Sequence, residues 1–197
     1  QVGGLGTLVF EDCEIIFSKP ALISLSGAGA NSIGNMIFRN CKIAYAGTAN
    51  SNFIVANQSG LTGTDGFQNL VFENNVIYMT TEALAANVIF NGQNNTFSNL
   101  NITFDHNTLV NYLPSGGQGA VMVAAGCASF VSLTYNLYYS TPTLLRGSNV
   151  FGVRMTGGNP STIGTMSPNA GYGTFNKSTD TFKNYYGGAG AEMTIFA

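Results

Sequence analysis

The stretch LVFENNVIYM, residues 70–79, decides the fold class. Apolar and polar residues alternate through Leu70, Phe72 and Glu73, a polar pair interrupts at Asn74 and Asn75, and alternation resumes through Ile77. Period two marks strands, and the Asn pair marks a turn between them. The same pattern recurs as LVFEDCEIIF (8–17), MIFRNCKIAY (36–45), ITFDHNTLVN (102–111) and, in a shorter form, LTYNLYYS (133–140). The shared aromatic is read at Phe10, Phe38, Phe72, Phe104 and Tyr135, at spacings of 28, 34, 32 and 31 residues. Repeats of this length signal stacked supersecondary units, each unable to bury its apolar side alone.

Leu8, Met36, Leu70, Ile102 and Leu133 are expected to point inward with the aromatics. Cys13, Cys41, Asn75, Asn107 and Asn136 fill the polar break, where Asn in successive repeats can bond along the stack. Between the copies lies a second set of short apolar runs: 21–25, 52–56, 87–90, 120–124 and 143–146. Helical periodicity is absent and Gly punctuates the loops. The expected fold is therefore all-β, a solenoid with three short parallel strands in each of about five coils, stacked about 4.8 Å apart.

Composition narrows the function classes. Charged residues make up 8% of the 197-residue chain and the net charge is −2, without the basic run that a nucleic-acid backbone requires. No apolar stretch approaches the roughly 20 residues of a transmembrane helix. Abundant Gly, Asn, Ser and Thr with few Lys point to a secreted or cell-surface, extracellular protein. Hydrophobic residues reach 45%, enough for a core rather than a disordered chain.

The motifs FENNVIY (72–78) and FDHNTLVN (104–111) resemble the tight Asn turn of the right-handed parallel β-helix in the pectin-lyase-like superfamily. More narrowly, the chain is similar to short β-helix domains of unknown function that gut bacteria secrete beside polysaccharide-degrading systems. The resemblance covers residues 8–155. It implies a β-helix over 1–155 and an irregular C-terminal tail, 156–197, packed on it. That superfamily contains lyases, hydrolases, esterases and non-catalytic members, so the fold alone does not assign a reaction. Its lyases carry calcium-binding acids and a basic catalyst on or beside the first sheet. Here that sheet is read without Asp or Glu, and with Arg146 as its one charge.

Outward positions of the second sheet form the column Glu11, Arg39, Glu73, Asp105. Glu73 and Asp105 are the candidates for an acid–base pair or a cation site, with Arg146 as a third member; carboxylates about 5–5.5 Å apart suit a retaining glycosidase and about 6.5–9.5 Å an inverting one. The alternative is an alternating ion-pair ladder, with Glu14 and Lys42 forming a second one. His106, the single histidine, follows Asp105, yet adjacent residues at a turn are expected to point apart. No set of three or four convergent metal ligands is apparent, so no metal or cofactor is expected, with calcium reserved for the lyase alternative.

Tyr78, Tyr112, Tyr138, Tyr139, Tyr172, Tyr185 and Tyr186 could stack on sugar rings or pack the helix end. Asn57, Asn91, Gln93 and Arg146 could bond hydroxyls, and with Tyr78 and His106 they make the expected substrate-binding set. Cys13 and Cys41 occupy equivalent places one repeat apart, within disulfide reach, as either a bridge or two buried thiols; Cys127 reads as a small buried residue. Outward Val9, Ile37 and Val71 need a cover, and the open start before Leu8 implies flanking domains of a longer chain. The expected function is a secreted, non-catalytic carbohydrate-binding or scaffold module for polysaccharide utilisation, with a polysaccharide or oligosaccharide as partner. The alternatives are a lyase or hydrolase acting on a pectin-like glycan, and a purely structural adhesin-type solenoid.

Overall fold

The computed structural model describes residues 5–18, 21–25, 33–47, 52–56, 62–63, 68–79, 88–92, 96–97, 100–110, 121–124, 129–140, 153–156, 170–173 and 194–196. The described residues are all strand and turn, and every pairing between strands is parallel. No helix among them is long and apolar enough to cross a membrane.

Three main sheets run through the repeats. The second sheet stacks Leu5–Glu11, Ile33–Arg39, Asn69–Glu73, Leu100–Asp105 and Ser129–Thr134 in sequence order. A two-residue corner leads each of these strands into the third sheet, whose members are Glu14–Phe17, Lys42–Tyr45, Val76–Met79, Thr108–Val110 and Leu137–Ser140. The first sheet holds Ala21–Leu25, Asn52–Ala56, Val88–Gly92, Val121–Ala124 and Val153–Thr156. A minor ladder joins Thr62–Gly63 to Thr96–Phe97.

The core follows from stacking identical offsets. Phe10, Phe38, Phe72 and Phe104 form one column, with ring centroids 4.7 Å apart at each step and interplanar angles of 8°, 12° and 5°. That spacing equals the separation of paired strands, so backbone pairing and ring stacking are satisfied by one translation. Met36, Leu70, Ile102, Ile43, Ile77 and Leu109 are buried beside the column. Burying each of these large side chains stabilises the fold by about 1.5–3 kcal/mol.

Polar pairing holds the corner. Asn75 Nδ2 donates to the Phe38 carbonyl, and its Oδ1 accepts from the Cys41 N–H. Asn107 repeats this one step along, donating to Phe72 O and accepting from Asn75 N and Nδ2. Asn136 does the same for Phe104 O and for Asn107 N and Nδ2. These asparagines are 1% exposed, so only such pairing makes their burial tolerable. A second ladder, unforeseen from the sequence, runs outside through Thr7, Asn35, Asn69 and Asn101.

Three sequence expectations are corrected. Tyr135 does not continue the aromatic column: Phe104 pairs with Leu133, and Tyr135 falls on the corner, 57% exposed. The fifth first-sheet strand is Val153–Thr156, paired with Val121–Ala124; 143–146, with Arg146, lies outside the described residues, and the charge in that strand is Arg154. The tail is not wholly irregular, because Ala170–Gly173 and Thr194–Phe196 extend the third sheet to seven strands. Parallel pairing satisfies edge N–H and C=O groups, which is the reason a sheet edge recruits further chain. Of the outward apolar residues, Val9 is exposed at 47%, while Ile37 and Val71 are half-buried.

Candidate functional site

Each corner between the second and third sheets places one residue in the left-handed region: Asp12, Asn40, Asn74, His106 and Tyr135, all with φ of 53–55°. The N–H of each of the first four donates to the carbonyl of the neighbouring repeat, as in His106 N to Thr134 O at 3.1 Å. Asp and Asn adopt this conformation at little cost and His is tolerated, whereas Tyr costs about 1–2 kcal/mol. The fifth corner therefore carries an aromatic side chain where Asn would serve the backbone better.

That side chain has a partner. The Tyr135 ring stacks on His106 with centroids 4.8 Å apart and an interplanar angle of 19°. The His106 Nδ1 is in turn 2.8 Å from Asp105 Oδ2, and the Thr134 hydroxyl donates to Asp105 Oδ1 at 2.6 Å. The left-handed backbone at His106 swings the imidazole back over Asp105, so the expectation that these neighbours point apart is overturned. Asp105, His106, Thr134 and Tyr135 form one cluster, with His106 and Tyr135 exposed and Asp105 and Thr134 half-buried. Burial alone would raise the Asp105 pKa, but the Thr134 hydroxyl and the hydrogen bond and charge of His106 together outweigh it. Asp105 is held below the ordinary carboxylate range, the opposite of what a general acid requires.

Glu73 is the register neighbour of Asp105, as the sequence pattern anticipates. Its carboxylate is engaged by Arg39 Nε at 2.9 Å, while Arg39 Nη1 reaches Glu11 at 3.3 Å. The column is an alternating ion-pair ladder along Glu11, Arg39 and Glu73, ending in the hydroxyl-bonded Asp105. Lys42 pairs with Glu14 at 2.9 Å and sits 5.5 Å from the centre of the Tyr78 ring, a cation–π distance. The Glu14 hydrogen bond, with help from its charge, raises the Lys42 pKa.

The three expected substrate-binding residues that are described fall in different elements. Tyr78 lies in the third sheet, His106 on the corner, and Asn91 in the first-sheet strand Val88–Gly92 between Val55 and Met122. Asn57, Gln93 and Arg146 lie outside the described residues, as do Tyr112, Tyr185 and Tyr186. Tyr138, Tyr139 and Tyr172 fall in third-sheet strands. Among the described residues no three His, Cys, Asp or Glu side chains come together as metal ligands. Tyr135 was missed because its aromatic character was read as a core signal. Its place immediately before Asn136, matching His106 before Asn107, was the signal that could have found it. Comparison with protein-family models, curated proteins and solved structures gave no match to this chain.

Proposed function

We propose that the chain is a right-handed parallel β-helix module of the pectin-lyase-like kind, secreted or cell-surface, that binds a polysaccharide or oligosaccharide without cleaving it. The observation that carries this reading is the exposed Tyr135–His106 stack, kept on a backbone corner that disfavours Tyr. A strained residue that serves no backbone need points to a use for its side chain. An exposed aromatic face packs on the apolar face of a sugar ring, and the flanking carboxylate and hydroxyl of Asp105 and Thr134 suit ring hydroxyls. Tyr78, with the Lys42 ammonium beside it, offers a second contact on the strand that follows the third corner.

The non-catalytic half of the reading rests on the acids. Glu73 is engaged by Arg39, and Asp105 is stabilised as a carboxylate. The Glu73 carboxylate is held in its ion pair, and Asp105 does not stand ready to protonate a leaving group.

The test measures affinity for a panel of pectic, uronate and neutral polysaccharides. Tyr135→Asn keeps the corner backbone favourable while deleting the ring, and His106→Asn does the same one repeat earlier. Either variant is expected to weaken binding about two- to tenfold, in keeping with the loss of one stacked aromatic contact. Unchanged affinity in both would refute the site. No affinity for any glycan would leave the purely structural module. New chain ends during long incubation, lost in Glu73→Gln or Asp105→Asn, would make the protein an enzyme.

A further inference from the structure

We infer that Cys13 and Cys41 are a cross-repeat thiol pair that oxidises to a disulfide, pinning the first repeat to the second. The pair lies where the asparagine ladder stops. From the third repeat onward, each corner is tied to its neighbour by a buried carboxamide. Between the first two repeats that role falls to the Cys41 thiol, which reaches the Phe10 carbonyl at 3.3 Å and is a much weaker donor. Among the described strands, Leu5–Glu11 pairs with Ile33–Arg39 and Glu14–Phe17 with Lys42–Tyr45, so the contact between these two repeats rests on strand pairing and the Cys41 thiol. A covalent tie there supplies what the missing carboxamide does not.

Register places the two cysteines side by side. Glu11 pairs with Arg39 and Glu14 with Lys42, which brackets Cys13 and Cys41 as direct neighbours. Their Cα separation is therefore about 4.8 Å, within the usual disulfide range of about 4.4–6.8 Å. Lys42 N also donates to the Cys13 carbonyl at 2.9 Å, fixing the two backbones against each other. Both thiols are free in this structure, Cys13 half-buried and Cys41 buried. Cys13 also acts directly on the Cys41 thiol, whose pKa is raised first by burial.

Exposure assigns the order of events with oxidised glutathione as oxidant. The Cys13 thiol gives up its proton to solvent, and the thiolate attacks one glutathione sulfur, breaking that S–S bond and releasing one glutathione thiolate, which takes up a proton. Cys41 then loses its proton and attacks Cys13 Sγ, breaking the mixed disulfide and releasing the second glutathione thiolate, also protonated. Two protein thiols are oxidised by two electrons, and one oxidised glutathione is reduced to two molecules of glutathione.

The whole chain is incubated with oxidised glutathione, blocked with iodoacetamide, cleaved with trypsin without reduction, and mapped by mass spectrometry. Cleavage after Arg39 and Lys42 leaves Cys41 in the tripeptide 40–42, separated from the 1–39 peptide that carries Cys13. The expected product is those two peptides joined, with the intact chain lighter by two hydrogens and its melting temperature raised by about 5–10 °C. The Cys13→Ser and Cys41→Ser variants are expected to lose that rise. A persistent glutathione adduct on Cys13, a bridge to Cys127, or two unreacted thiols would each overturn the inference. This pairing stands independently of the glycan-binding reading, since neither cysteine belongs to the Tyr135 corner.

Discussion

Replacing Asn107 by Ala tests whether the buried carboxamide ladder, rather than strand pairing alone, holds the repeats in register. Four hydrogen bonds end on that side chain: Asn75 N and Nδ2 donate to its Oδ1, and its Nδ2 donates to Phe72 O and Asn136 Oδ1. After truncation, Asn75 Nδ2 still has the Phe38 carbonyl and Asn136 Oδ1 still accepts from the Asn107 N–H. The Asn75 N–H loses the acceptor it had, inside a site that is 1% exposed. Leaving that donor unsatisfied costs about 2 kcal/mol, and the other three bonds about 0.5 kcal/mol each. The sum is about 3–4 kcal/mol, to be read from urea unfolding. Asn101→Ala is the control, because it removes an exposed bond to Asn69 of the same chemical type at a cost of about 0–0.5 kcal/mol. If the two variants unfold within 1 kcal/mol of each other by this order-of-magnitude reckoning, the ladder is not what holds the corner and the reasoning fails.

Cys41→Asn is expected to stabilise the chain by about 0.5–1.5 kcal/mol relative to the chain with both thiols reduced, since a carboxamide there can extend the ladder to Phe10 O; a urea midpoint below that of the reduced chain would count against it. Gly47→Ala is expected to destabilise by about 1–3 kcal/mol, because the added methyl would lie 2.6 Å from the Ser18 carbonyl oxygen and against the buried Tyr45 ring; thermal melting checks this. The pH dependence has two arms. Asp105 is depressed in the folded chain, so its contribution is complete above the unfolded value of about 4 and is lost as pH falls through the folded one. Cys41 is raised, so its contribution is complete below about 8.5 and is lost as pH rises through its folded value. Urea midpoints across pH should flatten on the acid side in Asp105→Asn and on the alkaline side in Cys41→Ser; arms that persist unchanged would refute the assignment.

Much of this architecture is written in offsets. A Phe three residues before the polar break recurs at Phe10, Phe38, Phe72 and Phe104, and the break is Cys13, Cys41, Asn75 and Asn107. Stacked parallel strands place equal offsets on top of one another, so the aromatic column and the carboxamide ladder could be read without coordinates. Counting back three from Asn136 gives Leu133, the residue the structure puts above Phe104. Matching by aromatic character chose Tyr135 instead, because ring identity was weighed above distance from the turn. Asn35, Asn69 and Asn101, three residues before Phe38, Phe72 and Phe104, are equally legible as a ladder by the same offset rule.

Tertiary structure alone decided the rest. Several short apolar runs could fill the last first-sheet place, and the apolar pattern does not say which; pairing with Val121–Ala124 places Val153–Thr156 there. Which charges meet also depended on the fold: Arg39 could serve either acid beside it and bonds both, while Asp105 turned to Thr134 and His106. That last contact depends on a left-handed backbone at His106. A one-dimensional pattern of apolar and polar residues fixes which face a strand buries. It does not carry the φ angle of a corner residue, and that angle is what brought Asp105, His106 and Tyr135 to one place.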